Sequence, residues 1–166
     1  MDKIVYKPLG VVYSPFEKPQ DVPIQSAAAK GVKGTIQIHQ DYINGLKDLD
    51  GFSHLILIYH FHLAKPYSLQ VKPFLDQKLH GLFSTRAPSR PNPIGISVVR
   101  LEKIEKNILH IQDVDIVNKT PLLDIKPYVP SFDQRNTEKI GWLTKNINKL
   151  SSTRDDGRFA KNPQQK

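Results

Sequence analysis

Residues 96–117 read ISVVRLEKIEKNILHIQDVDIV. Two β-type runs, Ile96 to Ile104 and Ile108 to Val117, stand either side of a short break that contains Asn107. Val and Ile fit a pleated strand, and Asn tolerates positive φ, so the stretch is read as two strands joined by a tight turn. Leu122 to Tyr128 follows as a further strand, and Leu79 to Thr85 precedes. Leu55 to Leu63 is almost continuously apolar and is expected as a central strand covered on both faces. Gly34 to His39 alternates, with Ile36 and Ile38 on one face, and Lys3 to Tyr13 is extended but broken by Pro8 and Gly10. About seven short strands joined by turns point to an all-β barrel or sandwich and not to βαβ units.

Helices are expected to be few. Most of the 13 prolines fall before residue 131, and proline removes a helix donor and clashes with the preceding turn. Asp41 to Leu49 is a candidate short helix, with Tyr42, Leu46 and Leu49 at helical spacing. Thr137 to Leu150 is expected as an amphipathic helix, because Ile140, Leu143, Ile147 and Leu150 form one apolar stripe. Asn136 or Thr137 would cap it, and Glu138 suits its positive end. Residues 1–150 are thus one domain, and Ser151 to Lys166, nearly without apolar residues, is expected as a disordered tail.

The 166 residues are 39% hydrophobic and 24% charged, with a net charge of +8. That balance is globular and favours a polyanionic partner. The absence of cysteine excludes disulfides, a Cys-held zinc or iron–sulfur site and a cysteine nucleophile. Neither a signal-peptide h-region nor an apolar run of ~20 residues is present, so a soluble, cytoplasmic protein with no membrane partner is expected. No Rossmann glycine motif, P-loop, nucleophile elbow or H-E-x-x-H occurs either.

Three places could carry chemistry. His54, His60 and His62 share parity along one run, which suits a pocket mouth or hydrogen-bonded strand histidines better than a metal. The segment FSTRAPSRPNPIGIS, residues 83–97, holds Arg86 and Arg90 on a loop stiffened by prolines. Such a loop is either solvated or presents guanidinium forks to a carboxylate or phosphate. Asp124, Lys126 and Tyr128 form a row opposite Leu123 and Ile125. That row is either a surface ion pair or the wall of an active site.

The strings GVVYSPF, LDGFSHLILIYHFH, FSTRAPSRPNPIGIS and TPLLDIKPYVP, in this order, resemble the TsaA-like family, also called TrmO or YaeB. The resemblance spans about residues 4–133 and rests on two long strings, R-P-N-P-I-G and L-D-I-K-P-Y. It implies a single-sheet antiparallel β-barrel, here with a short helix and a C-terminal amphipathic helix. It also implies a homodimer with the cofactor near the subunit interface. The implied activity is methylation, with S-adenosyl-L-methionine, of N6 of threonylcarbamoyl-adenosine at position 37 of threonine tRNAs.

The family's cofactor positions fall on Pro23, Ile24 and Gln25, on His62 and Leu63, on Arg86, on Ile96, and on the turn Asn118, Lys119, Thr120 and Pro121. Ile24 stands where the family has Arg, and Asn118-Lys119 where it has Asp-Gly. Lys at a glycine position resists positive φ. With no cysteine for a cysteine-ligated radical route, methyl transfer is a polar in-line displacement that needs positioning and a proton acceptor. Asp124 is the first candidate for that acceptor and His62 the second, with Lys126 and Tyr128 as positioning groups. The competing readings are a non-catalytic basic barrel that grips RNA, and a methyltransferase with another acceptor.

Overall fold

The computed structural model describes residues 3–20 and 22–159. Its strands are β1 (Gly10–Tyr13), β2 (Lys33–Ile38), β3 (His54–His60), β4 (Gln70–Val71), β5 (His80–Gly81), β6 (Ile94–Glu105), β7 (Ile108–Gln112) and β8 (Thr120–Pro127). Six of them close a barrel in the order β1-β2-β7-β6-β3-β8, with β8 returning to β1 and every neighbour antiparallel. Closure leaves no unpaired strand edge. β4 and β5 form a separate small ribbon.

The interior is aliphatic. Val12, Ile36, Leu55, Leu57, Val99, Leu109, Ile111 and Leu122 are fully buried in one cluster. Each such side chain contributes roughly 1.5–3 kcal/mol relative to exposure. β3 is not covered on both faces as its continuous apolar run implies. Leu55, Leu57 and Tyr59 point inward, while His54, Ile56, Ile58 and His60 are only partly covered. In a barrel one face of every strand points out, so the second apolar row of β3 lies on the outside.

The β6–β7 hairpin forms with Glu105 opposite Ile108. The left-handed residue of its turn is Lys106, at φ 57°, and not Asn107. The Asn107 side chain instead donates to the Ile38 carbonyl at 2.8 Å, tying the turn to β2. β8 carries a bulge: Ile58 faces Asp124, but Tyr59 faces Leu122, leaving Leu123 as the extra residue.

Other expectations need correction. β1 begins only at Gly10, since Pro8 has no N–H for a ladder and Ile4, Val5 and Tyr6 are exposed. Of Leu79 to Thr85 only His80–Gly81 is strand. The chain then turns as a 3-10 helix, Leu82–Ser84, whose Ser84 Oγ donates to the Gly81 carbonyl at 2.7 Å. β7 stops at Gln112 because Asp113 takes φ 66°. The stretch Asp41 to Leu49 becomes 3-10 turns, Gln40–Leu46 and Leu49–Gly51.

The largest departure is the expected helix from Thr137 to Leu150. It is replaced by two 3-10 stretches, Gly141–Lys145 and Ile147–Ser152. Gly141 sits at φ 60°, which no right-handed helix contains. Trp142 is drawn to stack on His80 at 4.8 Å, and its Nε1 donates to the Ser84 carbonyl at 2.9 Å. The expected tail also differs. Residues 153–159 pack against the body, with Arg154 bridged to Pro23 and Phe159 against Val71, Leu82 and Ala87. The rest of that expectation, residues 160–166, lies outside the described residues.

Candidate active site

A half-enclosed cavity of about 270 Å³ opens where β3 finishes and β6 and β8 begin. Four segments far apart in sequence meet there: residues 22–25, 59–64, 85–96 and 115–120. Of the residues that the resemblance assigns to a cofactor, Pro23, Ile24, Gln25, His62, Leu63, Arg86, Ile96 and Thr120 line this one space. Asn118, Lys119 and Pro121 are not in its lining.

The deepest polar element was not singled out in the sequence. Ser97, only 3% exposed, points inward from β6, and its Oγ donates to Asp115 Oδ1 at 2.6 Å. Tyr59 lies 3.0 Å from the same Oγ. A serine hydroxyl has one proton, and here the carboxylate takes it, so the tyrosine hydroxyl is the donor to Ser97. Gly95 makes this possible, because a Cβ there would collide with the rings of Tyr59 and Phe61. Burial pushes the Asp115 carboxyl up to about 6, against the lowering effects of Ser97 and of Arg86 nearby. Burial first, and then the Asp115 charge, raise the Tyr59 hydroxyl far above its usual range.

His62 leaves the strand parity expected of it. The chain turns after His60, where the His62 amide donates back to the His60 carbonyl at 2.8 Å. Its Nδ1 then lies 3.3 Å from Thr120 Oγ1, which donates its own proton to the Val117 carbonyl at 2.7 Å. Thr120 is thereby an acceptor, so Nδ1 carries the hydrogen and Nε2 keeps the lone pair. Burial, and then His60, hold the His62 pKa below its ordinary value. The ring is a neutral acceptor at neutral pH.

The two loop arginines divide their duties. Arg90 donates to the Thr85 and Ala87 carbonyls at 3.0 and 3.4 Å and so fastens its own loop. Arg86 crosses to Gln25 Oε1 at 2.7 Å, linking the proline-rich loop to residues 23–25. Asp155 and Phe159, from the C-terminal segment, complete the lining. Among the described residues no cluster of metal-ligating side chains is present.

Asp124, Lys126 and Tyr128 lie elsewhere. Lys126 Nζ meets Asp124 Oδ2 at 2.8 Å on the outer surface of β8, with both side chains well exposed. Asp124 Oδ1 accepts from the Ile125 amide at 2.9 Å, and Tyr128 rests edge-on against His54. None of the three borders the cavity. Asn118 serves the loop after β1, accepting from the Ser14 amide at 3.2 Å and donating to Glu17 at 2.7 Å. Lys119 adopts φ 62°, the conformation a glycine would take without strain.

The lining therefore offers guanidinium groups, two carboxylates, a neutral imidazole and apolar walls from Ile24, Phe61, Leu63, Phe74 and Ile96. Those groups fit a zwitterionic ligand with an aromatic part and an added positive centre.

The model of the tRNA-methyltransferase O N-terminal domain matches residues 11–134. A probable S-adenosyl-L-methionine-binding protein of Pyrococcus abyssi is 59% identical over 94% of this chain and 85% of its own length. The human tRNA (adenine(37)-N6)-methyltransferase is 32% identical over 78% of this chain, which spans only 31% of that protein. The crystal structure of TrmO from Pseudomonas aeruginosa superposes with a TM-score of 0.72 at 33% identity, covering 86% of this chain and 62% of that one. This chain belongs to the tRNA-methyltransferase O family, whose methyltransferases use S-adenosylmethionine.

Proposed function

We propose that this protein methylates N6 of threonylcarbamoyl-adenosine at position 37 of threonine tRNAs, with S-adenosylmethionine held in the cavity and the chain acting as a cytoplasmic homodimer. The observation that carries the reading is convergence. Side chains from residues 23–25, 62–63, 86, 96 and 120 meet at one cavity whose charges complement that cofactor. Bound there, the cofactor supplies an electrophilic methyl group, whose transfer to nitrogen leaves a neutral thioether and a proton to be removed.

The chain's own residues supply the rest. Arg86 offers a planar fork to a carboxylate and is held in place through Gln25. Asp115 places negative charge in the cavity wall, fixed by Ser97. His62, with its lone pair on Nε2, takes the proton from the acceptor nitrogen. Asp124, Lys126 and Tyr128 act from the partner subunit, where the exposed Asp124–Lys126 pair of β8 and the half-buried Tyr128 just after it would reach the neighbouring cavity. The net charge of +8 contributes salt-sensitive affinity for the RNA backbone.

The test is methyl transfer from labelled cofactor to tRNA with and without the threonylcarbamoyl group. Transfer only to the modified tRNA supports the reading. Cofactor binding without transfer to either tRNA would indicate another acceptor.

A further inference from the structure

The family match ends at residue 134, yet the cavity lining continues to residue 159. Residues 153–159 join two segments that border the cavity. On one side Arg154 bridges to Pro23, and the Asp155 amide donates to the Val22 carbonyl at 3.0 Å. On the other, Arg158 Nη1 donates to the Pro73 carbonyl at 2.7 Å, and its guanidinium lies 5.1 Å from the Phe74 ring centre. Phe159 meets Phe74 edge-on at 5.1 Å, and its carbonyl accepts from Ser89 Oγ at 3.1 Å. Gly157, at φ 78°, makes the turn between the two anchors. Its amide donates to Asp155 Oδ1 at 2.6 Å and fixes the carboxylate.

We propose that residues 153–159 are a working part of the ligand site, in which Phe159 completes the apolar wall and Asp155 presents its carboxylate to a positive centre of the ligand. This rests on the reading of the cavity as the S-adenosylmethionine site. Such a ligand has two positive centres, a sulfonium and an ammonium. Among the described residues, Asp115 and Asp155 are the two carboxylates that line the cavity. Oδ2 of Asp155 has no hydrogen-bond partner among the described residues, so it is open to a ligand. The segment thereby adds recognition that the matched domain lacks.

Calorimetry on the full chain tests this, with S-adenosylmethionine and S-adenosylhomocysteine as probes and thermal unfolding as the folding control. Asp155→Asn keeps the acceptor for Gly157 and should weaken S-adenosylmethionine binding about tenfold without lowering the unfolding temperature. S-adenosylhomocysteine retains the ammonium and lacks the sulfonium. An equal loss with both ligands places Asp155 at the ammonium, and a loss confined to S-adenosylmethionine places it at the sulfonium. Phe159→Ala should weaken both ligands to a similar degree, and Phe159→Leu, which keeps most of the apolar contact, should restore most of the affinity. Unaltered affinity in both Asp155→Asn and Phe159→Ala overturns the proposal while leaving the cofactor reading intact. A wild-type chain that binds neither ligand overturns both.

Discussion

Ser97 Oγ donates to Asp115 Oδ1 at 2.6 Å inside the barrel end, and this contact fixes a carboxylate that burial disfavours. The Asp115 carboxyl titrates near 6 in the folded chain, against 3.8 for an ordinary aspartate. Between those values the unfolded chain has released the proton and the folded chain still holds it. Rising pH therefore favours unfolding across that window, by up to about 3 kcal/mol. The change fades about one pH unit above 6, once the folded carboxyl too has lost its proton. Asp155, also pushed up to about 6, adds a loss of the same sign. Urea unfolding at pH 4.5 and 7.5 should show a smaller drop in Asp115→Asn than in wild type. An equal drop in both would mean that Asp115 is not buried as described.

Arg86 is the cavity cation held from a second segment, through Gln25. Arg86→Ala should weaken cofactor binding by more than tenfold, a loss of about 1.4 kcal/mol or more. Arg86→Lys should recover little of it, because an ammonium lacks the two-pronged donor. Calorimetry on folded protein gives both values, and full recovery by lysine would reduce the role of Arg86 to charge alone.

The exposed Asp124–Lys126 pair makes a prediction about assembly. If Asp124 serves the partner's cavity, Asp124→Asn, and Arg86→Ala assayed at cofactor well below its weakened affinity, each lose most turnover alone and complement when mixed. Half the dimers in an equal mixture would be hybrids with one intact site, so turnover should return to about a quarter of wild type. Mass measurement by light scattering should give twice the chain mass. No recovery after subunit exchange, with Asp124→Asn still inactive, would require Asp124 to act within its own chain.

Lys119 takes φ 62° beside the cavity residue Thr120. Lys119→Gly should remove that strain and raise stability by about 0.5–1 kcal/mol, part of the gain being offset by the freer unfolded chain. Denaturant unfolding measures it. A destabilised variant would show that the lysine side chain contributes more than its backbone costs.

Strand identity was legible where Ile, Val and Leu recur at alternate positions, as at Val99 and Leu101 in β6 and at Leu109 and Ile111 in β7. Strand ends were not, because a single residue such as Asp113, just after β7, adopts left-handed backbone that composition does not announce. The apolar stripe from Ile140 to Leu150 looked helical, yet one glycine and the pull of Trp142 onto His80 outweighed it. The family strings pointed to Arg86, His62 and Thr120, which do share a cavity. Asp115 is hidden in the sequence because Ile108 to Val117 reads as one strand, whereas β7 ends at Gln112. An aspartate between Val114 and Ile116, both fully buried or nearly so, was the available signal. Asp155 and Phe159 were out of reach, since nothing in a polar tail declares what it folds against.

The bulge at Leu123 sets a rule for chain length in β8. Leu122 and Asp124 are two residues apart yet lie on opposite faces, because Leu123 adds half a pleat between them. Deleting that one residue would leave Leu122 opposite Tyr59 and Asp124 opposite Ile58 in an unbroken ladder, so Asp124 and Lys126 would stay outside and Ile125 inside. Deleting a paired residue such as Ile125 would instead turn every later side chain to the other face. The strand can therefore lose a residue at Leu123 more readily than at any position that has a partner across the ladder.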